Sequence, residues 1–456
     1  MSIETIIANQ RTFYQSHQTK DIAYRKRALR TLSKAIRCYQ KDIEKALYQD
    51  LHKSSTEAFM SEIGMVLSEL TFQLRHLDEF QKPQRRKTPL VHFPSTSYVV
   101  PQPYGVVLIM APWNYPLQLC LEPAIGAIAA GNTVVIKPSA YAPHTAHVIK
   151  EMIKAYFPQE YICVIEGGRE ENLKLLDQRF DYIFFTGGTQ VGKLVLEKAS
   201  RYLTPVSLEL GGKSPCIVEE SANIKLAARR IIFGKLLNAG QTCVAPDYVL
   251  VHESKKEELL CYLHHEIQKA LGVDPLHHPD YPRIINEKHF HRLCAYLQQG
   301  SICCGGRTSI QRLQIEPTIM EVKDLQADIL QEEIFGPILP IISYDTIEEA
   351  IQYVNAKEHP LALYLFTTNK AIEKKVLKEC SFGGGCINDT IIHLASSYMG
   401  FGGVGQSGMG TYHGYDSFLT FSHMRSIVKK SNLVDLPFRY YPYKRWKDLL
   451  IRKVMR

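Results

Sequence analysis

Three short segments carry residues able to do covalent chemistry together. In NAGQTC, Cys243 follows Gly240, Gln241 and Thr242, which are poor core material, whereas Cys120, Cys163 and Cys216 sit within apolar runs. A thiol in polar, partly exposed surroundings can be drawn toward the reactive thiolate, while a buried cysteine behaves as a small hydrophobe. Glu209 ends the apolar run VSLEL just before Gly211-Gly212. A carboxylate at the C-terminal end of a strand lies where open α/β sheets form their binding crevice. Asn114, in PWNYP after the run VVLIMA, also falls at a strand end, where its amide could donate to a developing oxyanion. Taken singly, each has an ordinary reading: a structural thiol, a paired carboxylate, a turn residue.

A fourth segment, Gly187-Gly188-Thr189-Gln190-Val191-Gly192-Lys193, follows the run DYIFF and matches a P-loop as far as its lysine. Position 194 is leucine, where a bound Mg²⁺ needs a hydroxyl, so an NTPase reading is damaged at its metal ligand. Two readings remain beside it. The segment is a plain glycine-rich turn, or a helix N-terminus whose amides hold the phosphates of a dinucleotide.

These residues need strand ends and loops to hold them, and the surrounding pattern supplies both. From residue 104, apolar runs of strand length (GVVLIMAP, NTVVIKP, EYICVIE, DYIFFTG, PVSLELGG) alternate with helix-length segments near 117–130, 143–156, 170–177 and 189–199. Such alternation predicts a parallel, doubly wound sheet. From about 214 a second series follows, with SPCIVEE, DYVLVHE, PILPIISY and LALYLFTT as strands. Before both, Leu29, Leu32, Ile36, Tyr39, Ile43 and Leu47 mark one helical face, and Phe59, Ile63, Val66, Leu70, Leu74 and Leu77 another, with Ser54, Ser55 and Thr56 as candidate caps. Both read as packing helices. The proline-bearing segment 88–103 does not fit a central strand. With the late β-like stretch 418–430 it is expected to form an antiparallel ribbon whose edge pairs with a second subunit.

Composition bounds the alternatives. With 45% hydrophobic and 22% charged residues, the chain is that of a globular protein. The net charge is +8, but nine basic residues against two acidic ones fall between Lys429 and Arg456, which leaves the rest nearly neutral and argues against a nucleic-acid-binding domain. Eleven cysteines form no C-x-x-C pair, and no signal peptide is evident, so a reduced, cytoplasmic setting is expected. Pro112, Glu122, Pro123 and Asn132 interrupt the most apolar stretches, so no membrane span is expected there. In the tail, Trp446, Leu449, Leu450 and Val454 share a helical face while the charges lie largely around the others. Such a segment suits peripheral contact with the inner face of an anionic membrane, or docking on the protein itself or a partner.

Together APWNYP, GNTVVIKPS, FFTGGTQVGK, LELGGKSP, NAGQTCVAPDY, EEIFGPILP and GGVGQSGMGTYHG occur in the order and approximate spacing of the aldehyde dehydrogenase superfamily, and the C-terminal motifs most resemble its class 3, fatty-aldehyde type. The resemblance implies a Rossmann-like dinucleotide-binding domain (1–87 and 104–210), an α/β catalytic domain (211–415), an oligomerisation ribbon (88–103 and 416–430), a tail (431–456), and a homodimer. It implies that Cys243 is the nucleophile, Asn114 an oxyanion donor and Glu209 the general base, with no metal. Lys137, Gly187, Gly188, Gly192, Glu333 and Phe335 resemble the residues that hold a nicotinamide dinucleotide. Tyr115 is expected beside the substrate, an apolar aldehyde that is aliphatic, aromatic or polyene; some bacterial relatives act on diapocarotenoid aldehydes. Asn388 is expected to be structural or substrate-side rather than catalytic. One departure stands out: where the family often has a glutamate after Lys137-Pro138-Ser139, this chain has Ala140. Loss of that charge removes a repulsion against a 2′-phosphate, so NAD is expected as the main cofactor with NADP accepted. A catalytically silent scaffold is the remaining alternative, opposed by retention of all three catalytic residue types.

Overall fold

The first apolar series folds as a parallel sheet. The computed structural model describes residues 2–455, and in it every residue of strands Val106–Met110, Thr133–Lys137 and Tyr182–Thr186 is buried. Two-sided burial explains why these runs are continuously apolar rather than alternating. Across the sheet the order is 408–409, 206–209, 182–186, 106–110, 133–137, 162–164. Only the first pair is antiparallel. The order reverses between 106–110 and 182–186, and a crevice opens at the C-terminal ends of strands flanking such a reversal. Helices Gln118–Ala130, Pro143–Tyr156, Arg169–Leu176 and Thr189–Ser200 occupy the expected intervals.

The second sheet has seven strands in the order 301–304, 318–321, 338–344, 248–252, 215–218, 362–366, 384–387. Three of them escape the hydrophobic pattern. Ser301–Cys304 is an exposed edge with a bulge, Thr318–Glu321 is very short, and Gly384–Ile387 reads as a glycine turn. The antiparallel strand Gly408–Met409 joins the first sheet beside Glu209, so the tertiary border differs from a catalytic unit running unbroken to residue 415.

The ribbon comprises Gln84–Arg86, Ser95–Pro103 and Ser422–Lys430, paired antiparallel in that order. Its bounds differ from those the sequence suggests: Gln84–Arg86 adds a strand outside 88–103, residues 416–420 belong to helix Gly414–Thr420, and a short 3₁₀ turn spans Leu90–His92. One edge of Ser422–Lys430 pairs with Ser95–Pro103 and the other is unpaired among the described residues.

The two N-terminal amphipathic patterns each break once. Tyr39 separates Ile22–Cys38 from Gln40–Leu51. Ser54 caps the second pattern, accepting from the Glu57 N–H, but a π-helical segment, Phe59–Ile63, intervenes before Gly64–Phe80. The wide turn carries Phe59 off the buried face, and the residue is 44% exposed. In the tail, Arg445–Val454 is helical, with Trp446 51% and Leu449 61% exposed while Lys447 is buried. Its apolar face is therefore not covered by the body of its own chain. Among the described residues no helix is long and apolar enough to cross a membrane.

Candidate active site

Cys243, Glu209 and Asn114 converge. All three line one cavity of about 350 Å³ at the strand reversal, together with Gly187, Glu333 and Phe335. Each arrives from a different strand end or loop, which is how widely separated motifs meet. Val206–Glu209 delivers Glu209 as its last residue, and the Gly187 N–H donates to the Glu209 carbonyl at 3.0 Å. The glycine turn and the carboxylate are thereby held as one unit.

Cys243 follows a tightly folded turn. Asn238, Ala239 and Gly240 all adopt positive φ (53°, 51° and 75°), a conformation that L side chains take at a cost. A Cβ on Gly240 would stand 2.3 Å from the Gly336 carbonyl, so this glycine brings the nucleophile loop against the EEIFGP motif. Side-chain hydrogen bonds fix the turn: Gln241 Nε2 donates to the Asn238 and Arg283 carbonyls at 3.0 and 2.9 Å, and Gln241 Oε1 accepts from the Ile285 N–H at 3.0 Å. Cys243 itself is half-buried. Burial, with Glu333 and Glu209 adding to it, pushes the thiol up to about 12, while the Cys243 and Val244 N–H groups pull the other way. A cation entering the cavity would favour the thiolate.

Asn114 is nearly buried. Its Nδ2 donates to the Gln241 carbonyl at 3.0 Å, leaving its second N–H free for another acceptor. The Asn114 carbonyl accepts from Asn238 Nδ2 at 2.8 Å and from Lys53 Nζ at 2.9 Å. Lys53 also pairs with Glu62 at 2.6 Å, both side chains fully buried, and its ammonium lies 4.0 Å above the Tyr115 ring. Glu62 accepts in turn from the Leu117 and Gln118 N–H groups at 2.8 and 3.3 Å. Glu57, which burial holds up at about 7, accepts from the Asn238 N–H at 2.7 Å. The N-terminal helices and the link between them thus grip the main chain at Asn114, at Leu117 and Gln118 and at Asn238, a role that reading them as packing helices misses. No motif marks Lys53 or Glu62; a charge beside the apolar stripe is the one trace they leave in the sequence.

Both Glu209 oxygens are buried with no hydrogen-bond partner, and burial raises its pKa well above the ordinary carboxylate value. The paired structural carboxylate is therefore not what the structure contains. Glu333 is similar, pushed up by burial and by Asp247 to about 8, with Oε1 unpartnered. A Cβ on Gly211 would lie 2.0 Å from Glu333 Oε2, so the glycine after the Glu209 strand makes room for this second carboxyl. Phe335 packs edge-on against Trp113, with centroids 5.4 Å apart.

The remaining predicted binding residues divide. Gly188, at the N-terminus of helix Thr189–Ser200, lines the cavity and faces open space, whereas Gly192 packs against Leu210 within the helix–sheet contact. Lys137 ends its strand buried outside that cavity, with Nζ donating to the Pro138 and Gly167 carbonyls at 2.8 and 2.7 Å. Ala140 is exposed. Asn388 bonds the Thr367 main chain through both side-chain groups, at 2.9 and 2.8 Å, and is structural.

On its other side Cys243 lines a second, apolar cavity of about 150 Å³ walled by Tyr115, Leu119, Phe233, Leu237, Ile391 and Phe401. Tyr115 is fixed there by its ring contact with Lys53 and a 2.5 Å hydrogen bond to Thr242 Oγ1.

Residues 1–427 match the profile of the aldehyde dehydrogenase family. The chain belongs to that family. It is 50% identical over 444 residues to the 4,4'-diaponeurosporen-aldehyde dehydrogenase of Staphylococcus aureus, covering 97% of each chain. It is 41% identical over 443 residues to the dimeric NADP-preferring aldehyde dehydrogenase of Canis lupus familiaris, covering 96% of this chain and 98% of that one. Its fold matches the substrate-bound state of Staphylococcus aureus AldH with a TM-score of 0.98 at 48% identity, covering both chains fully. The aldehyde dehydrogenase is of class 3 type and an enzyme, which retires the NTPase and scaffold alternatives.

Proposed function

We propose that this aldehyde dehydrogenase oxidises a long apolar aldehyde to its carboxylate through a covalent intermediate on Cys243. The observation that carries the reading is the position of Cys243 at the junction of two cavities of opposite character, one bearing buried carboxyls and the other apolar. The aldehyde carbon reaches the Cys243 thiolate from the apolar side. As Sγ adds, the carbonyl oxygen gains charge, and the free N–H of Asn114 with the Cys243 main-chain N–H stabilise it. A nicotinamide dinucleotide, which Gly187, Gly188, Glu333 and Phe335 would hold in the other cavity, would supply the hydride acceptor needed to oxidise the Cys243 adduct to a thioester. Glu209 then takes a proton from water, hydroxide attacks the thioester, the C–S bond breaks and the carboxylate leaves. Burial raises the proton affinity of Glu209 above that of an ordinary carboxylate, which strengthens it as a base.

The residues present fit that cofactor. Glu333 offers a buried, unpartnered oxygen to ribose hydroxyls, Phe335 a ring face, Gly187 and Gly188 an open helix N-terminus to phosphates, and Lys137 its remaining N–H to the adenosine end. With Ala140 in place of a carboxylate, NAD serves as main cofactor and NADP is also accepted. The free edge of Ser422–Lys430 supports a homodimer. The exposed Trp446 and Leu449 of the basic tail support peripheral contact of a cytoplasmic enzyme with an anionic membrane.

The test is NADH production from medium- and long-chain alkanals and polyene aldehydes by wild type and Cys243→Ala. Turnover by wild type and none by the variant is expected; no turnover by wild type across these classes would sink the reading. Deleting residues 437–456 should abolish co-sedimentation with phosphatidylserine vesicles, and unchanged binding removes the membrane contact.

A further inference from the structure

The apolar cavity at Cys243 is not blind. At its outer end Met60, Phe233 and Ile392 reach the surface, 46%, 45% and 53% exposed. Ile392 and Ala395 also line a larger open groove of about 780 Å³, so the two spaces adjoin at these residues. Phe59, Phe72 and Tyr398 make the groove apolar; the Phe72 and Tyr398 rings meet edge-on at 5.0 Å, and Tyr398 is 77% exposed. The π-helical segment Phe59–Ile63 serves both spaces, presenting Met60 and Ser61 to the cavity and Phe59 to the groove. Gly64 also lines the groove, and a Cβ there would come within 2.9 Å of the Phe59 carbonyl of the π-helical segment.

We infer that this groove is a binding site for the distal half of a long apolar aldehyde, whose carbonyl end occupies the tunnel at Cys243. The inference rests on the aldehyde reading above and deepens it. A chain longer than the tunnel would emerge beside Ile392, where it meets Phe59, Phe72 and Tyr398 in a groove that shares Ile392 and Ala395 with the tunnel wall. Exposed apolar surface of this kind, leading out of a reactive site, is rarely without an occupant. Each methylene transferred there from water gains about fourfold in affinity. Charge argues against the chain's own tail, or a second copy's, as occupant: Arg37 and Arg75 line the groove, and the tail is strongly basic. Concavity argues against a bilayer, which seats on projecting side chains.

The test blocks the groove without touching the tunnel. Ser68 and Thr71 lie one turn apart on its rim, both exposed, so Ser68→Trp/Thr71→Trp fills it at little risk to the fold. kcat/KM would be measured with NAD for alkanals from hexanal to octadecanal. Wild type should gain with chain length, and the double variant should lose at least tenfold on the longest alkanals while hexanal stays within about twofold. Tyr398→Ser should give a smaller loss with the same length dependence. An unchanged length profile in both variants overturns the groove, as does an equal loss on hexanal. A change in vesicle co-sedimentation or solution mass with the length profile intact overturns it in favour of a membrane or a second copy. If wild type oxidises no alkanal of any length, the reading beneath it falls as well.

Discussion

The two cavities that meet at Cys243 are built by different means. On the cofactor side, functional groups stand at strand ends or beside glycines, and two buried carboxyls, Glu209 and Glu333, have no ion pair among the described residues. On the substrate side no ionised group is needed, and the wall is assembled from the N-terminal helices, the buried helix Gln118–Ala130 and the loop 391–395. The first side concentrates electrostatic work in few residues, so single substitutions should change chemistry. The second spreads its work over many weak contacts, so single substitutions should change preference among substrates. Perturbing each side separately tests whether that division holds.

The largest effect belongs to the polar side. Glu209→Gln should lower kcat by about 10²–10⁴-fold, the range for loss of a general base, while a first-turnover burst of NADH persists because thioester formation does not need this carboxyl. Loss of the burst would move Glu209 to an earlier step. Wild-type deacylation should rise with pH as Glu209 loses its proton, through a pKa well above the ordinary carboxylate value. Stability should run the opposite way. A carboxyl whose folded pKa is raised by burial favours the fold fully below its unfolded value, and that contribution is lost as pH climbs through the folded one. Glu209→Gln should therefore raise Tm relative to wild type at alkaline pH and leave it unchanged in acid, as calorimetry across pH would show.

The buried pair Lys53–Glu62 lines neither cavity, but Lys53 grips Asn114, which lines one, and Tyr115, which lines the other. Removing one partner leaves an uncompensated buried charge, which costs about 3–5 kcal/mol. Lys53→Met should accordingly destabilise the protein by that amount in urea denaturation. It should also lower kcat/KM for every aldehyde by a common factor, since displacement of Asn114 weakens oxyanion stabilisation whatever chain is attached. If Lys53 acts through Asn114, its kinetic effect should largely vanish in an Asn114→Ala background. Additive losses would make Lys53 a stabiliser of the fold alone.

The same division explains what the sequence reveals. The strands of the first sheet are legible because two-sided burial writes continuous apolar runs. Cys243, Glu209 and Asn114 stand out as candidates because polar or reactive residue types fall at strand ends and beside glycine, whereas Glu333 and Phe335 are picked out by the motif resemblance alone. The tunnel is not legible. Met60, Phe233, Ile392 and Phe401 lie far apart in the chain and are ordinary hydrophobes, and only packing reveals that they share a wall. The π-helical turn at Phe59–Ile63 leaves no periodic mark beyond a slipped exposure at Phe59. Lys53 and Glu62 are hidden for the opposite reason: charges in or beside amphipathic helices are read as solvated until the fold buries them.

The smallest effect should fall on cofactor choice, and it isolates the polar side most cleanly. Ala140 is exposed just after the strand that ends at Lys137, away from both cavities. A carboxylate introduced there would repel a 2′-phosphate and could accept from ribose hydroxyls instead. Even in partly screened surroundings such a like-charge contact is worth about 1–3 kcal/mol. Ala140→Glu should therefore raise the ratio of kcat/KM for NAD to that for NADP by about tenfold to a hundredfold, and the ratio should shrink as salt is added. Alkanal length dependence should stay as in wild type, because nothing at residue 140 lines the tunnel. A shift in chain-length preference would mean that the two sides of Cys243 are mechanically coupled through the sheet, and the division between them would have to be redrawn.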